Sequence, residues 1–141
     1  MAATRSFVPV SAWENQRQLL GLEGERLAIA FLTSCGWGIE SHRFRLGRHE
    51  IDLIIRKASL VAFVEVKTRR SLAFGSAREA VHQRKQRDIA RVASLWVERH
   101  GRAGDEYRFD VVVVEGKEGV TPAIEHIPDA WRSRSVASDR I

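Results

Sequence analysis

Cys35 is the only cysteine in this chain, so no intramolecular disulfide can form, and no spaced histidine or aspartate partner marks it as a thiol nucleophile. The five histidines show no zinc spacing. No apolar run approaches the roughly 18 to 20 residues needed to cross a bilayer. Ser6 to Gln18 is too polar for the apolar region of a secretory signal, and the expectation is a reduced, cytoplasmic protein with no membrane association. Prolines number three, and no internal repeat or second domain is readable. Tryptophans are scattered at Trp13, Trp37, Trp96 and Trp131, which argues against a base-stacking platform.

What is present is an ordinary core and a surplus of arginine. The 141 residues are 44% hydrophobic, enough to bury a core without disulfides or a structural metal. One domain is expected over residues 12–131, between flexible tails over 1–11 and 132–141. Lysine and arginine exceed the acids by 23 to 18, for a net charge of +5. A mostly arginine surplus suits bidentate phosphate contact, which makes nucleic acid a candidate partner. A solvated surface explains the same charge.

Apolar spacing predicts a first helix over Ala12 to Cys35, with Leu20, Gly24, Leu27, Ala28, Phe31 and Cys35 as its stripe and Gly36 as its stop. Three short strands follow at Trp37 to Leu46, His49 to Arg56 and Leu60 to Arg69, an antiparallel meander. A loop through Phe74-Gly75 leads to Ser76–His82 and a longer helix ending at His100, with Ile89, Val92, Ala93, Trp96 and Val97 inward. Tyr107 to Val114 is apolar almost throughout and reads as a buried strand parallel to the third. A weaker strand is expected at Ala123 to Ile127, then a short turn near Asp129 to Trp131.

A turn centred between Ala58 and Ser59 sets Asp52 opposite Glu65, Ile54 opposite Phe63 and Glu50 opposite Lys67, all on one face. Ile51, Leu53, Ile55, Ala62, Val64 and Val66 fall on the other. Opposed carboxylates on neighbouring strands destabilise a sheet unless a cation compensates. One solution is an ion-pair ladder in which Lys67 neutralises Glu50 and Glu65. The other is Mg²⁺ or Mn²⁺ held by Asp52, Glu65 and the Val66 carbonyl, with water completing the octahedron. In that arrangement the Lys67 ammonium is placed to orient water or stabilise charge on a phosphate.

The runs Glu-Ile-Asp-Leu-Ile at 50 to 54 and Phe-Val-Glu-Val-Lys-Thr-Arg at 63 to 69 resemble the YraN-like family of predicted bacterial endonucleases. So do Gly24-Glu25-Arg26-Leu27-Ala28, Phe74-Gly75 with Glu79-Ala80-Val81, Lys85-Gln86-Arg87 and Arg108-Phe109-Asp110-Val111-Val112. The set in this order is specific, whereas Glu-x-Lys alone is common by chance. That family is similar to Holliday-junction resolvases and the restriction-endonuclease-like superfamily. The resemblance implies an α/β fold with an αβββαβ core, a mixed sheet flanked by helices. It implies that Asp52 and Glu65 are metal ligands, that Lys67 is the catalytic lysine, and that Glu25 is a further acid from the first helix. Paired cutting of a junction implies a homodimer. One departure is His49, where the family usually has glycine. It is read as a solvated turn residue or as a proton carrier.

Arg69, Arg70, Arg87 and the neighbouring Arg84 and Arg91 form a candidate phosphate-tracking rim, and Gln83 and Lys85 are placed to reach the site from the second helix. Asp110 is read as structural, separated from Glu65 along the sheet. Two functions stay open: a metal-dependent endonuclease acting on DNA, branched or damaged, and a non-catalytic nucleic-acid-binding or adaptor module on the same fold.

Overall fold

The computed structural model describes residues 16–69, 83–117 and 120–133. The expected tails over 1–11 and beyond Ser133, the opening turn at 12–15, Phe74-Gly75 and Ser76–His82 lie outside them. Element order is α1 (Gln16–Ser34), β1 (Gly38–Leu46), β2 (His49–Lys57), β3 (Leu60–Arg69), α2 (Gln83–His100), β4 (Glu106–Lys117) and β5 (Val120–Trp131). This is the expected αβββαβ series with one further strand, an α/β fold consistent with a restriction-endonuclease-like core.

One five-stranded sheet has the order β1-β2-β3-β4-β5. The first three strands are antiparallel, β4 runs parallel to β3, and β5 returns antiparallel. A helical crossover is what a parallel step requires, and α2 supplies it. Each sheet face has its own core. Under α2, Ile54, Val61 and Phe63 pack with Ile89, Val92, Trp96 and Phe109. Under α1, Leu53, Ile55, Ala62 and Val64 pack with Ala28, Leu32 and Trp37. No helix among the described residues is long and apolar enough to cross a membrane.

Local chemistry explains the element ends. Trp37 N–H donates to the Leu32 carbonyl and Gly36 N–H to that of Thr33, both at 3.0 Å. These bonds form a Schellman cap, with Gly36 at φ 96° and Leu32 in apolar contact with Trp37. Cys35, expected in the apolar stripe, is exposed, because the cap turns the chain away at that residue. At the β2–β3 turn Ala58 has φ 54°, the sign a type II′ turn needs at its first central position.

Two expectations about the strands are corrected. Asp129 to Trp131, expected as a short turn, belong to β5, which runs Val120–Trp131. The register shifts between Val111↔Ile127 and Phe109↔Trp131, a bulge containing Asp129 at φ 52° that lets Trp131 stack on Phe109 at 4.0 Å. Ile51 packs with Phe44 and Ile54 under α2, not with Leu53 and Ile55. The partners step from His42↔Leu53 to Phe44↔Ile51 over Arg43 and Asp52, and Arg43 at φ 60° breaks the alternation there.

Candidate metal centre

The β2–β3 ladder keeps the expected register from Lys57↔Leu60 to Leu53↔Val64 and ends there. Beyond that point β2 stays with β1 as far as His49↔Leu46, and β3 stays with β4 as far as Arg69↔Glu115. The strands part, and Asp52 and Glu65 stand at the fork. Asp52↔Glu65 and Glu50↔Lys67, expected as ladder pairs, are not part of it. In place of a ladder bond, Val66 N–H donates to Asp52 Oδ2 at 2.8 Å. Since the N–H and C=O of one strand residue address the same side, the Val66 carbonyl also faces the fork.

Glu65 is only 6% exposed. Lys67 Nζ lies 3.8 Å from its Oε2, and Lys85, in the first turn of α2, makes an ion pair with the same oxygen. Burial first, and then the charge of Glu65, pushes the Asp52 carboxyl up to about 8, with Glu25 adding to the effect and the Val66 amide opposing it. Burial and the neighbouring Lys85 hold the Lys67 ammonium below its usual value, against the pull of Glu65 and Asp52. Burial would also lower Lys85, but Glu65 and Asp52 outweigh it and the net shift is upward.

Phe63 lies two residues before Glu65 on the same strand, so the two share a face, and it is buried in the core under α2. It meets Trp96 edge-on with centroids 5.9 Å apart, which fixes α2 over the sheet. A cavity of about 250 Å³ is walled by Asp52, Glu65, Lys85 and His49, together with Arg48, Asp88 and the apolar Ile89. His49 Nδ1 is 3.7 Å from Asp88 Oδ2. Glu50 also lines the cavity and pairs with Arg45 at 2.8 Å.

Glu25 comes from α1, where Gly24 meets Thr68 so closely that a Cβ would overlap Thr68 Oγ1. Its carboxylate accepts from Arg43 at 3.0 Å and contacts His42 Nε2 at 2.7 Å. It therefore flanks the fork as an ion-paired acid and is close enough to raise Asp52. Of the predicted rim, Arg69 is half-buried at the end of β3, and Gln83 and Arg87 are exposed on α2, as are Arg84 and Arg91. Arg70 lies outside the described residues.

Asp110 is structural, for a different geometric reason than expected. It pairs with Val64, one position from the Val111 that pairs with Glu65, so the two acids lie at nearly the same level. They are separated by the sheet itself, since Asp110 shares the parity of Val112 and Val114 under α1. There it is fully buried, held by Arg108 at 2.8 Å, His126 at 2.7 Å and the Asp129 amide at 2.9 Å. Trp37 and Trp96 are buried, as core residues and not base platforms. Sequence reasoning missed Arg48 and Asp88. The i, i+3, i+4 spacing of Lys85, Asp88 and Ile89, all cavity residues, was the available signal for the latter.

Two carboxylates beside this cavity, with a backbone carbonyl facing the same fork, suit a hard divalent cation. Among the described residues no group of three His, Cys, Asp or Glu side chains is placed to hold an ion, so water would supply the remaining ligands. Burial and the adjacent Glu65 charge, which raise Asp52, are what a bound cation would offset.

A profile of the uncharacterised protein family UPF0102 matches residues 24–114, the stretch from Gly24 on α1 through the fork to Val114 on β4. The chain belongs to that family. A UPF0102 protein of Rhodococcus jostii is 44% identical over 112 residues, covering 79% of this chain and 95% of the relative. Another UPF0102 protein, from Nocardia farcinica, is 44% identical over 111 residues, 79% and 87% respectively. One from Geobacter sulfurreducens is 36% identical over 124 residues, 88% and 97%.

Proposed function

We propose that the chain is a metal-dependent endonuclease that hydrolyses phosphodiester bonds in DNA, with branched or damaged DNA as the substrate class. The carrying observation is a buried carboxylate, Glu65, shared by two lysines at a sheet fork where Asp52 and the Val66 amide meet. Asp52, Glu65 and the Val66 carbonyl would hold Mg²⁺ or Mn²⁺, which when bound supplies a more acidic water and polarises a phosphoryl oxygen. Lys67 orients the attacking water and stabilises charge developing on the phosphate. Glu25, paired with His42 and Arg43, is assigned as the further acid from the α1 side of the fork. Arg69, Arg70, Gln83, Lys85 and Arg87 are assigned to backbone phosphates. Paired cuts across a branch need two sites, so the proposal includes a homodimer.

The second reading is a non-catalytic nucleic-acid-binding or adaptor module on the same fold, against which the intact Asp52, Glu65 and Lys67 set counts. Labelled four-way junction, flap, linear duplex and single strand, incubated with the protein in Mg²⁺ or Mn²⁺, separate the two. Cleavage that is lost in Lys67→Ala and Asp52→Asn supports the nuclease. Salt-sensitive junction binding without cleavage supports the module.

A further inference from the structure

Two ammonium groups converge on one oxygen, Glu65 Oε2: Lys85 in an ion pair and Lys67 at 3.8 Å. Their anchoring differs. Lys67 projects from β3, which is paired with β4, and its side chain is 30% exposed. Lys85 sits in the first turn of α2 between the exposed Arg84 and Arg87, and its side chain is 43% exposed. Four rotatable carbons on a helix end let its ammonium swing outward without moving the backbone.

Charge balance favours such a movement when a divalent ion binds. Asp52 and Glu65, when ionised, are matched by Lys67 and Lys85, while Glu25 is already engaged by Arg43 and His42. A divalent ion binding Glu65 at the roughly 2.0 to 2.1 Å typical of Mg²⁺ would adjoin the Lys85 ammonium on the same carboxylate. That repulsion is twice that of two monovalent ions. If Lys85 leaves, the surplus falls to one positive charge, the amount a bound phosphodiester neutralises.

Resting on the metal-site reading above, we propose that Lys85 is the resident counter-cation of the metal-free site. The divalent ion displaces its ammonium from Glu65, and the released Lys85 contacts a phosphate at the mouth of the same cavity. Metal loading and nucleic-acid binding are therefore coupled through this one side chain.

The test measures Mn²⁺ binding calorimetrically in the full chain and the affinity for a labelled DNA duplex with and without Ca²⁺. Wild type, Asp52→Asn, Lys67→Met, Lys85→Met and Lys85→Gln are compared. Both Lys85 variants should bind Mn²⁺ about tenfold tighter than wild type, from removal of one adjacent positive charge. Ca²⁺ should strengthen duplex binding by wild type and Lys67→Met about tenfold more than by the Lys85 variants, whose remaining gain is the ion's own contact with phosphate. If wild type and Asp52→Asn bind Mn²⁺ equally, or neither binds it, the metal-site reading falls and this inference with it. If Asp52→Asn alone loses the ion, and the Lys85 variants bind it no tighter or show the full wild-type Ca²⁺ response, the counter-cation role is overturned and the metal site stands.

Discussion

The Val66 amide donates to Asp52 Oδ2 at 2.8 Å where β2 and β3 part. A side-chain oxygen thus does the work of the missing ladder bond, and the acid is held beside Glu65 despite their like charge. Asp52 is therefore both a structural acceptor and a carboxyl that burial and the neighbouring Glu65 charge make hard to ionise.

Asp52→Asn separates these roles, because an amide oxygen still accepts from Val66 while the charge is gone. In chelator at pH 9 the variant should be more stable than wild type by about 2 kcal/mol, read from urea unfolding. Mn²⁺ binding should disappear in the same protein. A stability loss at pH 9 would show that the amide fails to replace the carboxylate as acceptor.

The pH dependence follows from the same group. Its folded-state value of about 8 lies above its ordinary value of 3.8. Between those values the folded chain holds more protons than the unfolded one, so metal-free stability falls as pH rises from about 4 to about 8. Metal binding has the opposite slope, since below about 8 the ion must expel that proton. Affinity for Mn²⁺ should rise close to tenfold per pH unit and level off near pH 8. Calorimetry in buffers of different ionisation enthalpy should detect about one proton released per ion at pH 6.5.

Gly24→Ala tests the packing that brings Glu25 to the fork. The added Cβ would overlap Thr68 Oγ1 and lie 3.2 and 3.3 Å from Thr68 Cβ and Cγ2. A cost of about 1–3 kcal/mol is expected from overpacking. Adding Thr68→Ala should recover most of it, a coupling that a double-mutant cycle measures. Additive losses would mean that the glycine serves something other than this contact.

Asp110→Asn addresses the opposite face. It removes the charge that three partners hold at a fully buried position and leaves the half-buried Arg108 without its counter-charge, so a loss of about 1.5–3 kcal/mol is expected, with Mn²⁺ affinity unchanged within about twofold. Burial works to raise the Asp110 carboxyl, but His126, Arg108 and the Asp129 amide outweigh it and hold it below its ordinary 3.8. Its stabilising contribution is thus present above that value and lost as pH falls through the lowered one. The gap between wild type and variant should narrow in strong acid.

Several features were readable along the chain because their causes are local. Apolar periodicity located both helices and the first three strands, Gly36 marked the cap after α1, and the two-residue turn at Ala58-Ser59 set the β2–β3 register from Lys57↔Leu60 to Leu53↔Val64. With the register came the proximity of Asp52 and Glu65, since every hairpin pair follows from the turn that precedes it.

What remained hidden depends on contacts between distant segments. A helical crossover imposes no register, so only the packed sheet shows Asp110 level with Val64 and therefore back to back with the Glu65 face. The end of the β2–β3 ladder reflects competition between two partners: β2 follows β1, β3 follows β4, and the Val66 amide turns to Asp52. Likewise the helical period put Lys85 near Arg84 and Arg87, but the docking of α2 through Trp96 on Phe63 selects Lys85 for Glu65. The sequence by itself determined the elements, the hairpin register and the chemical character of the fork. Tertiary structure decided which groups share it, because alternation and helical period act over a few residues, while side-chain convergence is set by how separate layers pack.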